Sequence, residues 1–148
     1  MNWKTIVLGG LAMYIAMFAV SMVSGMVVHE GILHDTYEAT NDFWRPELRK
    51  EPPDMGALMP RWISTGVLTT LVIASIYACV ASALGPLGWA NGMKYGFICS
   101  AFMICFCAGW SGIFNLPDKL WIVWGLESFV YYLPGGAVLG LLHKKFAS

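Results

Sequence analysis

The run Leu120–His143, LWIVWGLESFVYYLPGGAVLGLLH, decides what kind of molecule this sequence makes. It is longer than the roughly 18 apolar residues that indicate a membrane-spanning helix. It contains a single acidic residue, Glu127, and Tyr131 follows one helical turn later. Because a carboxyl group in hydrocarbon is costly, it usually faces the interior of a bundle or a hydrated cavity. The run therefore predicts a spanning helix that carries a buried carboxyl group.

Three more apolar runs have the same character, and the composition agrees with them. Hydrophobic residues make up 57% of the chain and charged residues 12%, about half of the roughly 25% charged residues in soluble domains. The sequence predicts an all-α fold, an integral membrane four-helix bundle that forms one domain over residues 1–148. A polar, partly helical loop, 29–61, joins the first two spans. The predicted spans are Thr5–Val28, Ile63–Leu84, Tyr95–Ile113 and Leu120–Leu142.

Several classes of function find no support in the sequence. The formal net charge is zero and no basic tract is present, so we expect no nucleic-acid partner. Cys105 and Cys107 lie two positions apart, on different faces of a helix, which argues against a shared metal ion. A bis-histidine haem needs two histidines at matching depth, whereas His143 is expected at the opposite surface from His29 and His34. With no nucleophile elbow or phosphate loop, nothing in the sequence argues for an enzyme, and we expect no cofactor.

Glu127 is the centre of a candidate ligand, ion or proton pocket. It lies about 10 Å along its span at 1.5 Å per residue, and the other spans offer hydroxyl and amide groups at comparable depth. Three interpretations stay open: a hydrogen-bonded carboxyl group that only fixes helix register, a ligand or proton site, and a contact to another subunit. The predicted pocket residues are Glu127, Tyr131, Ser21, Ser24, Thr65, Thr69, Ser111 and Asn115.

A second constellation in the first loop could bind a metal ion. The zincin pattern HExxH begins at His29-Glu30 but has Leu33 where the second histidine belongs. His34 and Glu38 are four positions apart and would share a helix face. A surface site formed by His29, His34 and Glu38 is one interpretation, and a polar helix end at the membrane surface is the other.

Small residues recur every four positions in the second span, which is the strongest packing signal in the sequence. Such ridges allow helix backbones to approach closely in a membrane, and the first span has a similar stripe. Four helices can bury only some of these faces among themselves, so the surplus favours association with other subunits. The ridge consists of Gly66, Thr70, Ala74, Ala78 and Ser82.

The distribution of charge suggests an orientation. Four spans place both termini on one side, where Lys4, Lys94, Lys144 and Lys145 occur without any acidic residue. The loop 29–61 holds seven of the nine acidic residues. Lysine and arginine counts alone give nearly a tie between the two sides, but the lysines near the termini lie in short tails and turns close to the spans. We therefore expect cytoplasmic termini and an extracytoplasmic loop.

The opening Asn2-Trp3, the pair Trp44-Arg45, and the stretch from Gly109 through Phe114-Asn115 to Trp121 and Trp124 resemble a group of small bacterial four-span membrane proteins. A polar position in span four followed by a glycine-rich close, here Glu127 and then Gly135, Gly136 and Gly140, is similar to the ending of that group. The group has no assigned function. The resemblance implies a four-helix fold in a bacterial inner membrane, and no particular activity.

The sequence favours a non-enzymatic accessory or scaffold subunit that acts by helix–helix association. Its partners would be the lipid bilayer and either copies of itself or a larger membrane complex. The first alternative is binding or permeation of a small ligand, ion or proton through the pocket around Glu127. The second alternative is the surface metal or cofactor site at His29, His34 and Glu38.

Overall fold

The computed structural model describes residues 3–147, with the side chains of residues 3–146; Asn2 of the opening quoted above lies outside this range. Within it the chain is helical and contains no strand, and four helices are long and apolar enough to cross a membrane. The expectations of an all-α chain and of four helices of spanning length and composition are thereby confirmed. The helices are α1 (Gly10–Val27, between the π-helical turns Thr5–Gly9 and Val28–Ile32), α2 (His34–Ala39), α3 (Met55–Val80, followed by the 3₁₀ turn Ala81–Leu84), α4 (Trp89–Ser111) and α5 (Asp118–Ala147).

The polar loop is shorter than the sequence suggested, because helices extend into it from both sides. The first long helix continues to Ile32 through a π-helical turn, and α3 begins at Met55. Asp54 caps α3 by accepting a hydrogen bond of 3.2 Å from the backbone N–H of Ala57. Pro60, within the predicted loop 29–61, lies inside α3. Its missing N–H removes the one helical hydrogen bond that would run to the carbonyl oxygen of Gly56.

The fourth long helix also runs further than expected, without a break at Pro134. Proline and glycine in the Pro134-Gly135-Gly136 sequence would weaken an isolated helix at this point. Neighbouring helices lie directly against that point: a side chain on Gly135 would meet Met17, and one on Gly136 would run into the carbonyl oxygen of Gly92. Packing on two sides supports the helix where the proline removes a backbone bond.

The closest approach between helices is that of α4 and α5. A methyl group added to Gly92 would overlap the carbonyl oxygen of Gly136, and one added to Gly96 would overlap the carbonyl oxygen of Tyr132. Gly140 is equally tight against the backbone of Gly88. Glycine at these positions permits backbone contact that any side chain would prevent. This contact lies toward the end of the molecule near residues 3–5 and 140–146, which we call the termini end; the opposite end, near residues 33–54, is the loop end.

The small-residue ridge of α3 packs along α1 over part of its length. A side chain on Gly66 would meet the ring of Tyr14, and Thr70 and Ala74 are buried. Further along the same ridge, Ala78 is half-buried and Ser82 is exposed. The first residues of the ridge thus pack against α1, and the last residue is exposed.

A buried amide connects α3 and α4 at the termini end. The Tyr77 hydroxyl donates to Oδ1 of Asn91 at 2.7 Å. The Asn91 amide in turn donates to the carbonyl oxygens of Ala81 and Gly85, each at 2.8 Å. Since buried polar groups need partners, this network explains why an asparagine can be 2% exposed here. It also fixes the turn between the two helices.

Candidate functional site

Glu127 lies on α5 with 7% of its surface exposed, and both of its carboxyl oxygens have partners. The Ser24 hydroxyl donates to Oε1 at 2.9 Å. Nε2 of His29 lies 3.3 Å from Oε2. A carboxyl group predicted to be buried is therefore held between two groups of the first long helix.

The local backbone explains how both partners reach one carboxyl group. Ser24 and His29 are five positions apart, which separates them around a regular α-helix. His29 sits in the π-helical turn Val28–Ile32, in which backbone hydrogen bonds span five residues instead of four; such wider turns often occur at functional sites. The wider turn brings the imidazole around toward α5. A search for partners at spacings of three or four would overlook His29.

The other side of the imidazole contacts the loop. Nδ1 of His29 lies 2.7 Å from the hydroxyl of Tyr37 on α2, and the indole N–H of Trp124 donates to the same hydroxyl at 2.9 Å. Indole nitrogen can only donate, so the Tyr37 oxygen accepts from Trp124 and its proton is available for Nδ1. With the other imidazole proton on Nε2, facing the carboxylate, every member of this group has a hydrogen-bond partner. We call these five residues, Ser24, His29, Tyr37, Trp124 and Glu127, the Glu127 network.

Aromatic rings close the network from the loop side. The ring of Trp44 meets Tyr37 edge-on, with 5.1 Å between ring centroids, and lies 6.1 Å from Trp124. Its indole N–H donates to the Thr40 hydroxyl at 3.1 Å. Phe43 contacts Phe114 at the end of α4. These aromatic residues of the loop thus lie across the first turns of α5 and the segment that follows α4.

Tyr37 stays neutral well into the alkaline range. Burial raises the pKa of its hydroxyl above the usual value of 10.0, the hydrogen bond from Trp124 works against that rise, and the nearby Glu127 charge adds to it. A neutral hydroxyl can donate to His29, whereas a phenolate cannot. His29 itself is 42% exposed. The imidazole therefore stands between the outer surface of the molecule and the buried carboxyl group.

Only part of the predicted pocket assembles around Glu127. Ser24 joins it, while the hydroxyl groups of Ser21, Thr65 and Ser111 each donate to a backbone carbonyl of their own helix. Thr69 and Asn115 are exposed.

Tyr131, also predicted in the pocket, lines a neighbouring aromatic cleft of about 430 Å³ between α4 and α5. The cleft also includes Cys107, Trp110, Trp121 and Trp124. Trp124 therefore belongs both to the wall of this cleft and to the Glu127 network.

The candidate metal site divides into two. His29 turns toward Glu127, whereas Nε2 of His34 pairs with Oε1 of Glu38 at 3.3 Å on the exposed face of α2. Asp35 adds a third donor within reach, but all three side chains are exposed. The trio of His29, His34 and Glu38 expected from the sequence does not meet at one point.

The arrangement is suited to binding one positive charge. A carboxylate that accepts only from a neutral hydroxyl and a neutral imidazole leaves a net negative charge in a poorly hydrated place, which is unfavourable. A proton taken up by His29 turns the same contact into a charge-assisted pair without net charge. The cost falls on Tyr37, whose hydroxyl then faces two donors and loses its own acceptor. Proton binding and the hold on the loop are therefore linked through one imidazole.

Comparison with protein-family models, with curated proteins and with solved structures returns no match for this chain. The resemblance to small bacterial four-span proteins stays a prediction from the residues quoted above. What the Glu127 network does is inferred from its own geometry.

Proposed function

We propose that the four long helices cross a bacterial inner membrane as a bundle with cytoplasmic termini, and that the Glu127–His29 pair is a proton-binding site. The observation that carries this proposal is that a carboxyl group with 7% exposure meets an imidazole with 42% exposure at 3.3 Å. The imidazole gives protons from water a route to a buried negative charge. The protein would act as a non-enzymatic membrane component that responds to protons.

Binding is better supported than permeation through a single chain. On the far side of Glu127, Ser128 and Leu139 are fully buried, and Tyr132 is 8% exposed. The Ser128 hydroxyl donates to the Gly125 carbonyl of its own helix at 2.6 Å. A packed core of this kind favours a site that opens toward the loop end only.

Proton-difference infrared spectroscopy tests the site directly. On acidification of the purified protein we expect one component of the imidazolium signal to be missing in His29→Gln and to change in Glu127→Gln, because the two groups share the proton. His34→Gln is the matched control: it should remove a different component, since His34 pairs with Glu38 on the exposed face of α2, and should leave the His29 component unchanged. A spectrum that is the same in wild type and Glu127→Gln would exclude a shared proton.

We also propose the accessory role that the sequence favours, and a separate observation supports it. Helix α3 packs along α1, and its outward face exposes Leu68, Val72 and Ile76. Thr65 and Thr69, expected in the pocket, are exposed on the same helix. Hydroxyl groups on an outward helix face favour contact with another helix in a membrane. This face could meet a second copy of the chain or a subunit of a larger complex.

A native cysteine makes this second proposal testable. Cys79 is exposed on α3, and Cys105 is exposed on α4. In membranes, oxidation of a variant that retains only Cys79 should give a disulfide-linked dimer or a link to a partner, whereas the variant that retains only Cys105 should not. A Cys79 variant that stays unlinked, together with a purified protein that is monomeric and carries no other subunit, would exclude the accessory role.

A further inference from the structure

A groove at the termini end is unrelated to the Glu127 network. It has a volume of about 600 Å³ and runs along α4, within the range of 300–1,000 Å³ typical of ligand sites. Its wall is apolar apart from one cation, Lys94, near its mouth. The apolar residues that line it include Trp89, Ala90, Phe97, Ile98 and Leu133.

The cation at this groove has hydrogen-bonding capacity to spare. Nζ of Lys94 donates to the carbonyl oxygen of Leu84 at 3.2 Å. An ammonium group has three donors, so two remain for an anion. Lys94 is exposed, and Trp89 beside it is 58% exposed. An apolar groove with a lysine and an indole in its wall matches the chemistry of an amphiphile with an acyl chain and an anionic head.

The charge of the surrounding surface favours an anionic head over a zwitterionic one. Lys4, Lys94, Lys144 and Lys145 all belong to the termini end, and the sequence gives this end no acidic residue. Lys144 lies close to Gly88, one position before the groove begins at Trp89. A zwitterionic head brings its own cation into this positive field, whereas an anionic head does not. Each lysine near a membrane surface is worth about 1 kcal/mol of attraction to anionic lipid.

We propose that this groove holds an acyl chain of an anionic phospholipid, with the lipid phosphate bound by Lys94. The inference rests on the proposed crossing of the membrane and is independent of proton binding at Glu127. The site would select lipid by the charge of its head and not by its chain. It gives the termini end a ligand of its own, which contacts no residue of the Glu127 network.

Lipid competition tests the site. The full-length protein is reconstituted in nanodiscs with equal amounts of phosphatidylcholine and phosphatidylglycerol, transferred to detergent, and analysed by native mass spectrometry for retained lipid. Wild type should retain phosphatidylglycerol in preference to phosphatidylcholine, and Lys94→Gln should lower that preference about fivefold, the equivalent of one lysine contact. Lys119→Gln, which removes an exposed cation at the loop end, is the matched control and should leave the preference unchanged.

A second variant separates the groove from the charge. Ala90→Phe places a ring in the groove without altering any charge, and Ala108→Phe places one on an exposed site of α4 outside it. Ala90→Phe should displace the retained lipid and Ala108→Phe should not. Equal retention of the two lipids by wild type, equal effects of the two lysine variants, or full retention by Ala90→Phe would each overturn the proposal. A failure here with an intact infrared response leaves proton binding at Glu127 standing.

Discussion

The two ends of the molecule are held together in opposite ways. At the termini end, α4 and α5 touch backbone to backbone through glycine, and Gly92 and Gly136 leave no room for a methyl group. At the loop end, the first long helix and α5 meet through hydrogen bonds on a single carboxyl group, Glu127, and α2 joins them through Tyr37. The first kind of contact depends on shape and is indifferent to pH. The second depends on protons, so the end that can respond to its surroundings is the one held by a carboxyl group and an imidazole.

The largest expected loss of stability comes from a substitution at the glycine contact between α4 and α5. Gly92→Ala should destabilise the protein by about 3 kcal/mol or more, because its methyl group would overlap backbone and not a mobile side chain. Gly109→Ala is the matched control: it also lies in α4, but a methyl group there meets nothing within 4 Å. Alanine in an open helical position is favoured over glycine by up to about 1 kcal/mol. Unfolding in mixed detergent micelles measures both, and equal stability of the two variants would contradict a close α4–α5 contact.

Removal of the carboxyl group tests the loop end in the same way. Glu127→Leu leaves the His29 N–H without an acceptor and the Ser24 hydroxyl with only the Ser21 carbonyl oxygen, at 3.4 Å, at an expected cost of roughly 1–3 kcal/mol. Ser111→Ala is the control, since that hydroxyl donates only within its own helix, to Ala108, and should change stability little. The same unfolding assay applies. A Glu127→Leu protein as stable as wild type would show that the network holds nothing together.

Tyr37→Phe sharpens the comparison further, because it should loosen the loop and leave the helices in place. The change removes the hydroxyl that bridges His29 and Trp124, at a cost of about 1 kcal/mol. We expect faster proteolysis within residues 45–54 with little change in global unfolding. Tyr14→Phe, whose ring packs against Gly66, should leave the cleavage rate unchanged. Cleavage that is equally fast in wild type and Tyr37→Phe would place the loop outside the influence of the network.

Alkaline pH should give the smallest of these effects, in the same place. Since burial raises the pKa of Tyr37 in the folded protein, the neutral hydroxyl is favoured by folding. Its contribution to stability is complete below the unfolded pKa of about 10 and is lost as the pH rises through the folded value. The loop should become more susceptible to proteolysis over that range, in step with tyrosinate absorbance that is missing in Tyr37→Phe. Loosening at lower pH than tyrosinate formation would assign it to another group.

The sequence predicted the helices well because apolar length alone determines them. It also predicted that Glu127 is buried and that Ser24 lies at its depth. His29 was assigned to a metal site instead, since its contact with Glu127 depends on a π-helical turn, and apolar periodicity does not reveal such a turn. The sequence pointed to the regular ridge of α3 as the main packing surface and not to the α4–α5 contact. The roles of Gly92 and Gly136 become visible only when the two helices are placed side by side. Local sequence patterns predict the individual helices, whereas contacts between helices that are distant in sequence require the three-dimensional structure.

A double-mutant cycle between His29 and Glu127, measured at two pH values, tests the proton-binding site most directly. Unfolding free energies of wild type, His29→Gln, Glu127→Gln and the double variant give the coupling energy between the two side chains. We predict a coupling of about 1.5–3 kcal/mol at the more acidic pH, where the proposed proton makes the pair charge-assisted, and a smaller one at the more alkaline pH, where a neutral hydrogen bond would remain. A coupling that is absent, or equal at both pH values, would contradict a proton shared between the helix turn and α5.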